Sequence, residues 1–424
     1  MSFAAPSELS LAVSKDYDTH LKPLFEYFHQ NPELSFMEFN TSARLAKELR
    51  AAGFEVTEGV GKTGVVAILK NGPGPLVMMR ADMDGLPLEE KSGISYASKA
   101  TQKNPDGTLS NVMHACGHDV HMTSLVGTAV QMAARRNAWS GTLMLVGQPA
   151  EERVGGALIM MQDQIWKRFG QPKYALAFHV GSGIETGKIQ AVEGSPYSGV
   201  DTVEIIIHGV GAHGASPHLG KDPVVLGAQI VLAMQTIITR EIAPREPALI
   251  TVGSFHSGTK SNIISDYAKL QLTVRSESPA TRTKLLAAIK RVAINTARAA
   301  GLPEDKLPEV IEIDTPTPPT QNDIALTQHL KKVWNDKLGK GIFAEEKPRE
   351  GMGAEDFGFF TSEPYIPSVY FQVGGTPKAD FDAAEKGGPA VAGHHSPLFK
   401  ITPEPAVRTG VEATVIALLD LLKK

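Results

Sequence analysis

The chain has 424 residues, 42% hydrophobic and 21% charged, with a formal net charge of −4 and a single cysteine. This is globular composition, of a length that favours two domains over one oversized core. The absence of a lysine-arginine stripe argues against a nucleic-acid or anionic-membrane partner, one cysteine excludes an internal disulfide, and no run of about 18 apolar residues predicts a spanning helix.

The start, MSFAAPSELS, has neither the basic nor the long apolar region of a signal peptide. A cytoplasmic enzyme is the simpler expectation, although a trimmed exported form would look the same. Residues 17–52 read as helical: Leu21, Leu24, Phe25 and Phe28 make an apolar stripe, NPEL breaks it, and a second helix runs from about Asn40 to Ala52. Strand-like runs follow at 64–70, 75–83, 141–147 and 174–180, all continuously apolar, as strands buried on both faces should be. Between the second and third, residues 121–136 place Met122, Leu125, Val126, Ala129 and Met132 at helical spacing. Alternating strands and helices predict an α/β fold with a mostly parallel sheet.

The texture changes near residue 199. DTVEIIIHG, a long helix from Asp222, ALITVGSFHSG, YAKLQLTVRSES and a helix over about 281–300 form a run with its own strand and helix inventory. DTPTPPTQND (314–323) reads as a linker out of it, after which a helix (323–337), IPSVYFQVGG and a helix from about Glu404 resume the α/β pattern. The expected organisation is a catalytic domain of residues 1–198 and 314–424, interrupted by a smaller α+β domain of residues 199–313.

Weak motifs fall away first. GVGKTG (59–64) and GVGAHG (209–214) fit G-x-G-x-x-G, but neither opens a helix directly or has the acidic partner of a dinucleotide site. GKT at 61–63 lacks the glycine of a P-loop, and no G-x-S-x-G elbow is present. The stronger polar clusters each follow an apolar run, where an α/β sheet presents its active site. They are RADMDG (80–85), HACGHD (114–119), GQPAEE (147–152), His179, GAEDF (353–357) and GHHSP (393–397).

Cys116 and His118, two positions apart on a loop, are residue types that transition metals prefer, yet a lone cysteine is also commonly a small buried filler. Glu151 and Glu152 are either acids in the first turn of a helix or a divided pair. In a divided pair one binds metal, and its neighbour takes the proton of the attacking water and passes it to a leaving amine. His179 and His395 complete a ligand set or are satisfied core histidines.

Taken in order, HQNPELSFMEFNTS, RADMDGLPLEE, MHACGHDVHMTSLVGTA, GQPAEE, FHVGSG, GVGAHGASPH, ITVGSFHSGTKSNIISD, TVRS, GMGAEDF and HSPLF resemble the metal-dependent aminoacylase and carboxypeptidase family. The branch is that of hippurate hydrolases, auxin-conjugate hydrolases and other N-acyl-amino-acid amidohydrolases, and the resemblance covers nearly the whole chain. It implies two divalent metal ions, zinc or manganese with cobalt or nickel as further candidates, held by Cys116, His118, Glu152, His179 and His395. Cys116 would bridge the metals, Glu151 would be the general base, and Asp84 would orient the site. The wider family has a histidine ligand where this chain has Asp82, so Asp82 is not counted as a ligand.

The inserted domain resembles the family's lid, which also dimerises, so a homodimer or higher homo-oligomer through it is implied. There His213 matches a histidine that polarises the scissile carbonyl, often from the partner subunit, and Asn262 and Arg275 match residues expected to hold the substrate carboxylate or its neighbourhood. Surface pairing of Arg275 and a turn role for Asn262 are the plainer alternatives. Ser265 stands where the family usually has proline and Gly85 where it usually has alanine. The implied reaction is cleavage of the amide of an N-acyl-L-amino acid, a small molecule, with a dipeptidase or carboxypeptidase as the alternative. A zinc deaminase would need a cysteine pair that this chain lacks, and a closed structural metal site needs no base beside a ligand. His114, His121 and His218 have no assigned role.

Overall fold

The computed structural model describes residues 7–104, 106–346, 349 and 351–424. They fall into two compact units: Met1–Pro196, Gln321–Pro348 and Asp356–Lys424 in the first, Tyr197–Thr320 and Arg349–Glu355 in the second, counting described residues only.

The first unit is built on a seven-stranded sheet. Its order is Glu55–Val60, Gly64–Asn71, Gly141–Gln148, Leu76–Asp82, Tyr174–Glu185, Ser368–Thr376 and Ile189–Gln190. The pairings among Gly141–Gln148, Leu76–Asp82, Tyr174–Glu185 and Ser368–Thr376 are parallel, whereas the outer pairings are antiparallel. The sheet is therefore mixed, where the apolar runs predicted a mostly parallel one. A continuous apolar run records that both faces of a strand are covered, not the direction of its neighbours. The edge strand Glu55–Val60 is largely exposed and has no apolar run to mark it.

Leu76–Asp82 is the pivot of the sheet. The chain leaves it through the helix His118–Ala134 to Gly141–Gln148 on one side, then crosses to Tyr174–Glu185 on the other. Such a reversal opens a crevice beyond the carboxyl ends of the strands. The register brings those ends level: Asp82 pairs with Gln148, and Arg80 with Ala177, two residues before His179.

The helix between them starts at His118, three residues earlier than its apolar repeat suggests, and is buried on nearly every side. It packs on the central strand and on the helices Lys22–Gln30 and Pro403–Leu421. Gly127 permits that closeness: a Cβ there would lie 2.7 Å from Val411 and 2.8 Å from Leu21. Phe178, Phe371 and Trp334 stack in succession in the same core and are fully buried, each contributing about 1.5–3 kcal/mol by leaving water.

The second unit has a four-stranded antiparallel sheet in the order Ala248–Ser257, Tyr267–Ser276, Gly199–His208, Glu309–Glu312. Val203, Ile205, Ile207, Leu270, Leu272 and Val274 alternate along the strands and form one core with the helices Pro223–Thr236 and Pro279–Ala299. Pro223–Glu241 is a continuous helical run of 19 residues with a mean hydropathy of 1.4, long and apolar enough to cross a membrane by length and composition. Gly227 and Gln229 interrupt its apolar letters, so counting an unbroken run overlooks it. Leu226, Ile230, Met234 and Ile237 are buried in the unit's core, while Val224, Val225 and Leu232 are exposed.

Candidate metal centre and the groove of the inserted unit

Five chain segments of the first unit converge beyond the strand ends. Asp84 follows Leu76–Asp82, Glu151 and Glu152 open a short turn after Gly141–Gln148, and His179 lies within Tyr174–Glu185. Cys116 and His118 flank Gly117, whose φ of 83° and position against Val180, 2.3 Å from where a Cβ would stand, admit only glycine. His395, at φ 63°, comes from the loop before Phe399.

The five residues matched to ligands come together. Cys116, His118 and His179 form one cluster of donor atoms within 4.8 Å of one another, and Cys116, Glu152 and His395 form a second. Cys116 is common to both. Cys116 Sγ is 3.3 Å from His179 Nε2, and His395 Nε2 is 3.2 Å from Glu152 Oε2. Glu151 joins a third cluster with His118 and Glu152.

Two atoms test whether cations fit. His118 Nε2 and Glu152 Oε1 are buried 3.9 Å apart, and neither has a hydrogen-bond partner. A bare buried polar atom costs about 1–3 kcal/mol, and a divalent cation satisfies an imidazole lone pair and a carboxylate oxygen together. The tautomers agree. His118 donates through Nδ1 to the Asp84 carbonyl at 2.8 Å, and His179 through Nδ1 to the Val180 carbonyl at 2.8 Å, leaving both Nε2 atoms as donors to a metal.

Acidic groups dominate the charge around these donors. Burial, then the charges of Glu152, Glu151 and Asp82, push the Cys116 thiol well above its usual range. Burial, then His121 and His394, hold His179 well below its own. Burial also lowers His118, but Asp82 and Asp84 outweigh it and raise it to about 10. A thiol, two glutamates and an aspartate packed this closely are a cation-binding charge distribution.

Several supporting residues escape sequence reasoning. Asp82, left out of the ligand set, has both oxygens held: Arg80 Nη1 donates to Oδ2 at 2.7 Å and His121 Nδ1 to Oδ1 at 2.5 Å. His121 Nε2 accepts from the Val180 N–H at 2.9 Å, so this unassigned histidine ties Asp82 to the backbone beside His179. Its i, i+3 relation to His118 on one helix was the available signal. His394 donates to the Val180 carbonyl at 2.9 Å. His114 is buried without a partner for either ring nitrogen, and burial lowers it to about 4. His218 lies exposed in the short turn Pro217–Leu219. Asp84 accepts the backbone N–H groups of Glu151 and Glu152 at 3.0 and 3.1 Å. Glu38 accepts that of Ala150 at 2.8 Å, and burial with the Asp84 charge pushes Glu38 up to about 7.

His213 and Asn262 line one groove of about 940 Å³ in the second unit, with His256, Thr259 and Tyr267. Residues 212–213 pair with 263–264, and the Gly214 N–H bonds the Asn262 carbonyl at 2.8 Å. His213 Nδ1 accepts from the Ala215 N–H at 3.0 Å, so its Nε2 carries the proton of the neutral ring. Arg275 stands on the central strand Tyr267–Ser276, away from that groove's lining. It is half-buried, bonds the Thr273 hydroxyl at 3.1 Å, and has no carboxylate partner among the described residues.

A mixed α/β sheet with an inserted α+β unit, carrying this donor set at its strand ends, defines a metal-dependent hydrolase with a dinuclear divalent-metal site. Residues 78–386 match the Peptidase family M20/M25/M40, and the chain belongs to that family. It is 35% identical to thermostable carboxypeptidase 2 of Saccharolobus solfataricus, over 82% of this chain and 83% of that one. It is 34% identical to hippurate hydrolase of Campylobacter jejuni, over 81% and 86%. A dinuclear metal-binding peptidase of the M20 family from Bacillus subtilis has the same fold, with a TM-score of 0.78 at 26% identity, covering 96% of this chain and 99% of that one. The family resemblance carried by the motifs is thus borne out, and the reaction is hydrolysis of an amide or peptide bond.

Proposed function

We propose that the protein cleaves the amide of N-acyl-L-amino acids, releasing a carboxylic acid and a free amino acid. Cys116, His118, Glu152, His179 and His395 would hold the two cations, Cys116 being the donor common to both clusters. When bound, the metals supply Lewis-acid activation of water and polarisation of the carbonyl. Glu151 accepts the proton of the attacking water and returns it to the departing nitrogen. Asp84 orients the turn that carries Glu151. His213 donates through Nε2 to the developing oxyanion, where a fixed donor is most effective.

The observation that carries the substrate class is Arg275, a half-buried guanidinium with no carboxylate partner among the described residues. A fixed guanidinium suits a substrate carboxylate, while Asn262, in the groove with His213, is assigned to the part of the substrate that lies there. The inserted unit serves as lid and as the contact between two copies. Its edge strand Ala248–Ser257 and the exposed Val224, Val225 and Leu232 support that reading.

A second reading, removal of a residue from a dipeptide or a peptide carboxyl terminus, is favoured by the 35% identity to a carboxypeptidase. Both substrates present a carboxylate beside the scissile amide; they differ in whether the acyl side is a simple acyl group or an amino-acid residue. Zinc- and manganese-reconstituted protein assayed on acetyl- and benzoyl-amino acids against matched dipeptides and carboxybenzyl-dipeptides separates them. Faster turnover of the peptides would replace the first reading by the second.

A further inference from the structure

The motif NPELSFMEFNTS carries a strong signal in the sequence, yet none of its residues takes part in the chemistry assigned above. The structure shows what it touches. Its Glu33 carbonyl accepts the Gly85 N–H at 2.7 Å, and Leu34 bridges to Gly85. Ser35 donates its hydroxyl to Asp84 Oδ2 at 2.6 Å. Glu38, fully buried, accepts the Ala150 N–H through Oε1 at 2.8 Å and the Thr63 hydroxyl through Oε2 at 2.6 Å.

Three consecutive amides of one turn, those of Ala150, Glu151 and Glu152, thus each meet a carboxylate oxygen. Two of these oxygens belong to Asp84 and the third to Glu38. The turn needs such holding. Ala150 sits at φ 49° and Val154 at φ 51°, left-handed conformations that side chains other than glycine rarely adopt. Backbone of that kind persists only when its surroundings over-determine it. Backbone N–H groups that donate to the oxygens of buried, fixed carboxyl groups hold such a turn in place. Glu38 is itself fixed, since Thr63 occupies its second oxygen and the helix Phe39–Ala51 begins directly after it.

We propose that Glu38, anchored by Thr63, is a positioning residue for the hydrolysis, clamping the turn that presents both Glu151 and Glu152. The clamp acts through the backbone, 112 residues away in sequence, and touches neither substrate nor metal. It rests on the reading of Glu151 as base and Glu152 as ligand. Because both ride on the same turn, releasing it moves turnover and metal affinity together while leaving substrate affinity alone.

The test compares Glu38→Ala, Glu38→Gln and Thr63→Val in the full chain. Metal affinity is read by competition with a chromogenic chelator, kcat and KM are read at saturating metal, and folding is read by far-UV circular dichroism. Glu38→Ala is expected to lose roughly 10- to 100-fold in kcat and in metal affinity, the range known for residues that support a metal site from outside, with KM within about threefold. Glu38→Gln keeps both bonds, its amide oxygen accepting from Ala150 and its amide nitrogen donating to Thr63, and is expected to recover to within about fivefold. An alanine variant within about twofold of wild type in both readouts overturns the proposal, as does a glutamine variant as impaired as the alanine one. If Glu38→Ala does not fold, Thr63→Val decides: a loss of several-fold in metal affinity with native dichroism supports the clamp, and no loss overturns it. An active Glu151→Gln control would remove the base assignment instead, leaving the metal-affinity readout to judge the clamp by itself.

Discussion

Cys116 Sγ lies 3.3 Å from His179 Nε2, and the same sulfur belongs to a second cluster with Glu152 and His395. A thiolate common to two donor sets would suit a pair of neighbouring cations. Cys116→Ser should therefore lower metal affinity by roughly 10-fold or more and reduce the stoichiometry measured after dialysis. A serine variant that keeps two metals per chain and full turnover would return Cys116 to the status of a buried filler.

Glu151→Gln keeps the shape of the side chain and removes its basicity. Loss of a general base costs roughly 10²- to 10⁴-fold in kcat, and metal content should be unchanged because Glu152 remains. Stopped or steady-state assays on loaded protein check this, and near-normal turnover contradicts the assignment.

Arg275→Ala should raise KM for carboxylate substrates by roughly 10- to 100-fold, the worth of a charge-assisted hydrogen bond. The carboxamide of the same substrate should be affected far less. An equal change for acid and amide would mean that Arg275 does not read the carboxylate.

Leu232 is 72% exposed on the solvent-facing side of Pro223–Thr236, with Val224 and Val225 also exposed. If that side joins two copies, Leu232→Asp should convert a dimer to a monomer by light scattering after gel filtration. An unchanged mass, or a monomeric wild type, removes the inserted unit as a dimer contact through this helix.

His29 supplies a pH prediction. Its Nδ1 bonds Asp119 at 2.6 Å and its Nε2 meets Glu90 at 3.2 Å. Burial lowers its pKa, but the two carboxylates outweigh burial and raise it to about 9. A raised histidine contributes stability that is fully present below about pH 6.5 and is lost as pH rises through about 9. The gap in melting temperature between wild type and His29→Gln should be widest near pH 6 and close by about pH 10. A gap that does not narrow means that His29 is not charged in the fold.

Much of the site was legible because its chemistry is carried by short polar motifs set directly after apolar strands. Glu151, Glu152 and His179 stand out in that way, Cys116, His118 and His395 through polar loop motifs of their own, and three overlapping clusters join all six. The supporting contacts were not legible. Asp82 and His121 are 39 residues apart, and Glu38 and Ala150 are 112 apart. No local pattern announces either pair, because the bond depends on where two distant backbones cross.

The same division holds for the fold. The order of its elements is written in the chain, since apolar period and turn residues are local properties that bias each segment independently. Strand direction is not: Gly64–Asn71 and Gly141–Gln148 read alike as apolar runs, yet they pair antiparallel, while Leu76–Asp82 pairs parallel with the latter. Only the tertiary structure decides this, as it decides which oxygen of Asp82 faces Arg80 and which faces His121. Hydrophobic burial is indifferent to direction, whereas hydrogen bonds and close packing are not.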